Sequence, residues 1–172
     1  ERFLIISAAV STTGNELYVQ DLKDPKGKLV TVVGNFDHSH QIIDNDGSRL
    51  LIQTNLNAPN NRIVAVDANA PGPDNWKDIV PESEMAIRGV STGGKKIFVN
   101  YLKDASTLVK QYDYQGKFER DIELPGIGTA SGFGGRASET VVYYSYTSFT
   151  VPSTIYSYDI PSGKSAVYAA PK

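Results

Sequence analysis

Gly89-Val90-Ser91-Thr92-Gly93 has the G-x-S-x-G spacing with which a strand-to-helix elbow exposes a nucleophilic serine. That chemistry needs a helix after the serine and an Asp and a His later in the chain. Here Lys95–Tyr101 follows and is strand-like, and both histidines, His38 and His40, precede the serine. Ser91 is therefore expected to be non-catalytic, with the segment serving as a hairpin turn. His38-Ser39-His40 sets two imidazoles two positions apart on one side of a strand, half of what a zinc site requires. No third ligand lies near them, so both are expected at the surface without metal. Asp44-Asn45-Asp46-Gly47 resembles the opening of a calcium loop, but its twelfth position is Asn55 rather than Glu and no helix flanks it. A polar β-turn before Leu50 is expected instead. Gly126–Gly135 (GIGTASGFGG) lacks the GxGxxG spacing and following helix of a phosphate cradle. Small residues allowing strands to approach closely explain it.

The chain has no cysteine, which excludes disulfides, thiolate catalysis and cysteine-based metal sites. Catalytic residues, metal ligands and cofactors are thus all expected to be absent, and no substrate-binding residue is assigned. Seventeen basic and nineteen acidic residues leave a net charge of −2, a poor footprint for nucleic acid or an anionic membrane. No apolar run approaches the roughly 18 residues of a membrane span, and Glu1-Arg2-Phe3 is not a signal peptide. A soluble protein is expected, in cytoplasm or periplasm alike, and a start inside a strand-like run suggests a processed piece.

The elements that must position these residues repeat. Leu17–Asp21 (LYVQD), Ile63–Asp67 (IVAVD), Leu108–Asp113 (LVKQYD) and Ile155–Asp159 (IYSYD) end on aspartates 46 residues apart, at positions 21, 67, 113 and 159. Strand-like runs precede them in Phe3–Ser7, Leu50–Thr54, Ile97–Tyr101 and Val141–Ser145. Third runs follow in Lys28–Val33, Trp76–Val80, Arg120–Leu124 and Lys164–Ala169, and further runs in Gln41–Asp44, Met85–Ser91 and Thr129–Phe133 lead into the next unit. The runs are rich in β-branched and aromatic residues and bounded by Gly, Pro, Asn or Asp. No helical period is sustained.

Four strands in about 46 residues match one blade of a β-propeller, a four-stranded antiparallel meander. The expected fold is all-β: blades at roughly 1–35, 36–82, 83–125 and 126–172, the first lacking its innermost strand. FLIIS and IVAVD are apolar on both faces, as in strands sandwiched between neighbouring blades. Arg120, Asp121 and Glu123, interleaved with inward-facing Ile122 and Leu124, suit an outer edge strand. Each repeated Asp is expected to accept a backbone N–H two residues on and so fix a turn.

With GNELYVQDL near the start, Thr54–Arg62 (TNLNAPNNR), Trp76–Glu82 (WKDIVPE), Ser131–Gly135 (SGFGG) and above all Thr147–Tyr156 (TSFTVPSTIY) make the chain resemble the propeller of prolyl oligopeptidase-type serine peptidases. The resemblance implies the later half of a seven-bladed propeller that caps an α/β-hydrolase domain, absent from these residues, whose Ser-Asp-His triad cuts short peptides after proline. The propeller would then gate access of peptides without being catalytic itself. Its implied partners are that hydrolase domain and short proline-containing peptides. Some members of the family carry an Arg after the strand matching FLIIS; Ala8-Ala9-Val10 stand here, so no such contact is carried over. The alternative is a free-standing four-bladed propeller acting as a binding module. If about six side chains on each end face stay wet, at roughly 1.5–3 kcal/mol each, the loss is of order 10 kcal/mol, so the isolated piece is expected to self-associate.

Overall fold

Short runs of Val, Ile, Leu, Tyr and Phe between turn-forming residues favour half-buried extended chain, and the computed structural model of residues 2–171 bears this out. Glu1 and Lys172, on which the readings of the chain's ends fall, lie outside the described residues. Among the described residues there are fifteen strands, a single 3-10 turn at Pro73–Asn75 and no α-helix. They form two units, Glu1–Glu84 and Met85–Lys172.

The first unit holds two sheets. The first is three-stranded: β1 (Phe3–Ala8), β2 (Glu16–Asp21) and β3 (Val30–Val33). The second has four strands: β4 (His40–Asp46), β5 (Arg49–Thr54), β6 (Arg62–Asp67) and β7 (Lys77–Val80). The second unit holds two four-stranded sheets. One is β8 (Ile87–Gly93), β9 (Lys96–Lys103), β10 (Ser106–Asp113) and β11 (Phe118–Asp121); the other is β12 (Thr129–Gly132), β13 (Val141–Thr147), β14 (Thr154–Asp159) and β15 (Lys164–Ala169). Every sheet is an antiparallel meander with strands adjacent in sequence order, and the first lacks a strand before β1, as the repeat requires.

Bulges interrupt the pairing of the last two strands in each sheet, at Leu17/Tyr18, Ile63/Val64, Gln111/Tyr112 and Ile155/Tyr156. Three of the four keep the 46-residue spacing. A bulge adds local twist and shortens the ladder, which limits further pairing at an outer edge.

Within the first unit the two sheets pack face to face. Leu17, Val19, Val32 and Val33 meet Leu50, Ile52, Val64 and Val66, with Phe3, Ile42 and Trp76 at the margin. In the second unit Phe98, Val109 and Ile122 meet Ala130, Val142, Tyr144, Tyr146 and Tyr158. Phe133 stacks on Tyr144 at 4.4 Å and on Phe98 at 5.5 Å between ring centroids. It does so from a left-handed backbone (φ 67°). A bulky residue rarely adopts that conformation; full burial of the ring offsets its cost.

Burial along the strands only partly follows the expectation. Ile63, Val64, Ala65 and Val66 of IVAVD are all buried, but Leu4, Ile5 and Ile6 of FLIIS are about 40% exposed. β1 is an edge strand, so nothing pairs with its outer side. β11 ends at Asp121 rather than reaching Leu124; Ile122 is buried beyond it, its N–H bonded to Val109 O at 2.9 Å. β4 runs on to Asp46, farther than the apolar residues indicate, because the hairpin with β5 pairs Asn45 with Leu50 and Asp46 with Arg49.

Candidate functional site

The second unit carries a cleft of about 460 Å³ between its two sheets, where β8 and β12 stand at adjacent sheet edges. Its wall combines hydroxyls, an amide and small residues, among them Ser91 from β8, Asn100 from β9, Thr107 from β10 and Ser131 from β12, with the larger side chains of Val90, Tyr101 and Leu102. Strand alternation places Ser91 and Asn100 toward β12, and their side chains close its open edge. Ser91 Oγ donates to Gly132 O at 2.7 Å, and Asn100 Nδ2 to Ala130 O at 3.3 Å. Ala130 N in turn donates to Thr107 Oγ1 (3.2 Å), and Thr107 N to Gly128 O (3.0 Å). Unpaired edge groups of β12 are thereby satisfied by side chains and backbone of the facing sheet rather than by a strand.

Two details of the cleft stand apart. Asn100 Oδ1 is buried without a hydrogen-bond partner, a costly arrangement for an amide. Arg88 is exposed at the rim, the sole charged side chain of the lining, and makes no ion pair or side-chain hydrogen bond among the described residues. Neither residue is singled out by the motif reading. The available signal was polar residues interrupting apolar strands, Asn100 within IFVNY and Arg88 within MAIRGVS.

The G-x-S-x-G segment lies inside β8 rather than in a turn; the turn is the following Gly94-Lys95, both with positive φ. Ser91 is engaged with Gly132 O, and both histidines belong to the other unit, so no base is positioned on it within its unit. His40 is not a surface residue. It opens β4, is 6% exposed, lies edge-on to Trp76 with centroids 5.6 Å apart, and pairs Nδ1 with Thr54 Oγ1 at 2.9 Å. Burial, assisted by His38, pushes its pKa down to about 4. His38 is only partly buried in the bend before the strand, so the two rings do not share a surface. No cluster of three or more His, Cys, Asp or Glu suited to a metal ion occurs among the described residues.

Asp44 to Asp46 complete β4 instead of forming a turn. Asn45 N bonds Asp44 Oδ1 (2.7 Å), and Asn45 Nδ2 reaches Gly47 O (3.1 Å) across the hairpin tip. In the glycine-rich stretch the close approaches are to β13: a Cβ on Gly128 would meet the Tyr146 ring and Thr147 O, and one on Gly132 the Tyr144 backbone. Tight packing against β13 accounts for Gly128 and Gly132, whereas a Cβ on Gly134 would meet nothing within 4 Å. Ala8 closes β1 and Val10 stands 76% exposed beyond it. In TSFTVP the Ser148 hydroxyl accepts the N–H groups of Thr150 and Val151 (3.3 and 3.2 Å), and the turn so fixed leaves Phe149 fully exposed.

The repeated aspartates are turn-formers. Asp21, Asp67 and Asp113 accept the N–H two residues on, from Lys23, Asn69 and Gln115, at 2.8–2.9 Å. Asp159 accepts from Ser162, three residues on, at 2.9 Å and also from its hydroxyl. Arg2 beside Asp21, with the Lys23 N–H, holds that carboxyl below its usual range; Asn69 N–H and the Ser48 hydroxyl do so for Asp67. A chain of polar contacts, buried at Tyr158 and Gln111 and reaching the surface at Lys96, also joins the sheets of the second unit. Tyr158 donates to Gln111 Oε1 (2.7 Å), Gln111 Nε2 to Glu119 Oε2 (2.7 Å), and Lys96 pairs with Glu119. Burial raises the Tyr158 pKa; for Glu119 burial is outweighed by Lys96 and Gln111, and the net shift is downward.

Separate antiparallel meanders on a 46-residue repeat, three of them four-stranded and the first three-stranded, stacked face to face within each unit, define a β-propeller-type protein. The chain belongs to the prolyl oligopeptidase N-terminal β-propeller family, whose pattern it matches over residues 1–171. It is 45% identical to a prolyl endopeptidase of Elizabethkingia miricola and 43% identical to that of Elizabethkingia meningoseptica, across its whole length. It spans about a quarter of each, 24%. Among solved structures, a prolyl endopeptidase superposes with a TM-score of 0.91 at 29% identity, over 98% of this chain and 25% of that one. Prolyl oligopeptidase B of Galerina marginata, at 22% identity and a TM-score of 0.85 over 98% of this chain and 25% of its own, shares the fold.

Proposed function

We propose that this chain is a non-catalytic part of the propeller of a prolyl oligopeptidase-like serine peptidase, limiting which peptides reach a hydrolase domain that cuts after proline. The observation that carries the reading is the match of the family's propeller to essentially the whole chain, together with Ser91 bonded to a carbonyl and no base beside it in its unit. In the complete ring, expected to have seven blades, β4, β8 and β12 would face the channel as first strands of their blades. Exposed Ile127 and Phe149 flank the end of the last sheet where β12 begins and β13 ends. Apolar side chains there suit an end that meets the hydrolase domain.

Two measurements test this. A fluorophosphonate probe is expected to label the longer protein and leave the 172-residue chain unlabelled; labelling of the short chain that Ser91→Ala abolishes would overturn the non-catalytic role. The longer protein's kcat/KM is expected to fall across a ladder of proline-containing substrates from short oligopeptides to folded proteins. A rate independent of substrate size would remove the gating role.

A further inference from the structure

We infer that the cleft between β8 and β12 is a subsite for a short, extended peptide bearing a carboxylate, which lies along the open edge of β8 with its carboxylate on Arg88. The inference rests on the peptidase reading for its biological sense; its chemistry stands on the cleft alone.

The volume, about 460 Å³, falls in the range of small-ligand sites and holds a few residues of extended chain at roughly 3.3 Å each. The two edges that border it differ. β12 is closed by Ser91, Asn100 and Thr107, whereas β8 has a strand partner on its β9 side alone; on its other side Thr92 O accepts Gly135 N at 2.9 Å, which leaves the stretch from Gly89 to Ser91 without a strand beside it. An open edge offers alternating N–H and C=O groups to an incoming extended chain, the main-chain contact by which sheet edges take up peptides. Gly89 and Val90, both in the lining, leave that edge accessible to a backbone.

Charge selects the ligand. The lining has one cation, Arg88, and no acidic residue, and Arg88 has no partner among the described residues. A planar guanidinium beside an uncharged wall suits a single carboxylate, which it can hold by two parallel N–H bonds. Asn100 adds a second incentive: its Oδ1 is buried and unpaired, so an amide N–H that draws the side chain toward the cleft relieves an unsatisfied acceptor. Peptide amides supply that donor and peptide termini or acidic side chains supply the carboxylate.

The test uses the longer protein after treatment with fluorophosphonate, so that binding is read without cleavage; whether that probe reacts reports on the peptidase reading separately. Calorimetric titration compares acetylated tetra-alanine as free acid, its C-terminal amide, and an amidated analogue with glutamate at the last position. The free acid is expected to bind about three- to tenfold tighter than the amide, the span of an exposed charge-assisted contact. Arg88→Gln is expected to remove that preference, Arg88→Lys to restore part of it, and Asn100→Ala to weaken both forms alike. Recovery of affinity in the glutamate analogue would assign the site to side-chain carboxylates as well as termini. An acid-to-amide ratio unchanged by Arg88→Gln, or no saturable binding of any of the three peptides, would overturn the inference while leaving the gating role intact.

Discussion

Lowering the pH from 7.5 to 5 should weaken the first unit through one residue, His40. Its ring is buried against Trp76, Nδ1 is committed to Thr54, and Nε2 has no hydrogen-bond partner among the described residues. A proton added there has no acceptor at hand, and Thr54 Oγ1 already accepts the Leu56 N–H at 3.0 Å. With a folded pKa of about 4 against the ordinary histidine value of 6.5, the unfolded chain binds the proton first. Stability is therefore complete above the unfolded value, falls as the pH drops below it, and levels off below the folded value. The loss from this group is about 2 kcal/mol by pH 5 and about 3 kcal/mol by pH 4. The carboxylates held low, Asp21, Asp67, Glu119 and Asp159, add their own loss only at more acidic pH, which leaves pH 5–6.5 to the histidine. The assay is urea denaturation across that window for the wild type and for His40→Phe, which cannot titrate, with imidazole NMR signals following His40 and His38 individually. The wild type should show the slope and the variant a nearly flat line. Equal slopes in both, or a His40 midpoint at the ordinary histidine value, would refute the argument.

Three other outcomes follow from the packing. Tyr158→Phe removes the donor to buried Gln111 Oε1 and should cost about 1–3 kcal/mol in denaturant titration; an unchanged midpoint would mean that the Gln111 amide finds another partner. Gly94→Ala and Gly47→Ala should differ although both have positive φ, 57° and 61°. A Cβ at Gly94 would overlap Glu139 O and Ile160 Cδ1, whereas nothing lies within 4 Å of one at Gly47. Gly47→Ala is expected to cost about 1–2 kcal/mol from backbone strain alone and Gly94→Ala clearly more, so equal melting temperatures for the two would contradict the close approach. Sedimentation of the isolated chain should show concentration-dependent association, because Leu4, Ile5 and Ile6 stand about 40% exposed on an unpaired edge strand. Replacing Leu4 and Ile6 with lysine should reduce it, and monomeric behaviour of the wild type at all concentrations would contradict the expectation.

Much of the architecture was legible because it is periodic. Equal spacing of four aspartates and the apolar runs before them located the middle strands, and those residues do form turns at strand ends. Local chemistry was read less well where one residue type serves two conformations. The G-x-S-x-G glycines, punctuation in isolation, lie in β8 because cross-strand pairing with β9 extends to Gly93 and Lys96. Asp44-Asn45-Asp46, polar enough for a turn, became strand because the hairpin register continues to Asp46 and Arg49. His40 was misplaced for a related reason: a histidine two residues from another looks like surface until the packing of Trp76 and Thr54 around it is known.

By itself the sequence determined that the chain is all-β and built from repeated antiparallel meanders. Those are properties of period, residue type and chain order, and they persist whatever the packing. Only tertiary structure decided which polar groups face one another across sheets separated in sequence. It set Asn100 and Ser91 against the edge of β12, left Arg88 without a counter-charge beside them, and buried His40. Such pairings depend on the register and approach of whole sheets, a sum of many weak contacts that no local stretch of residues encodes.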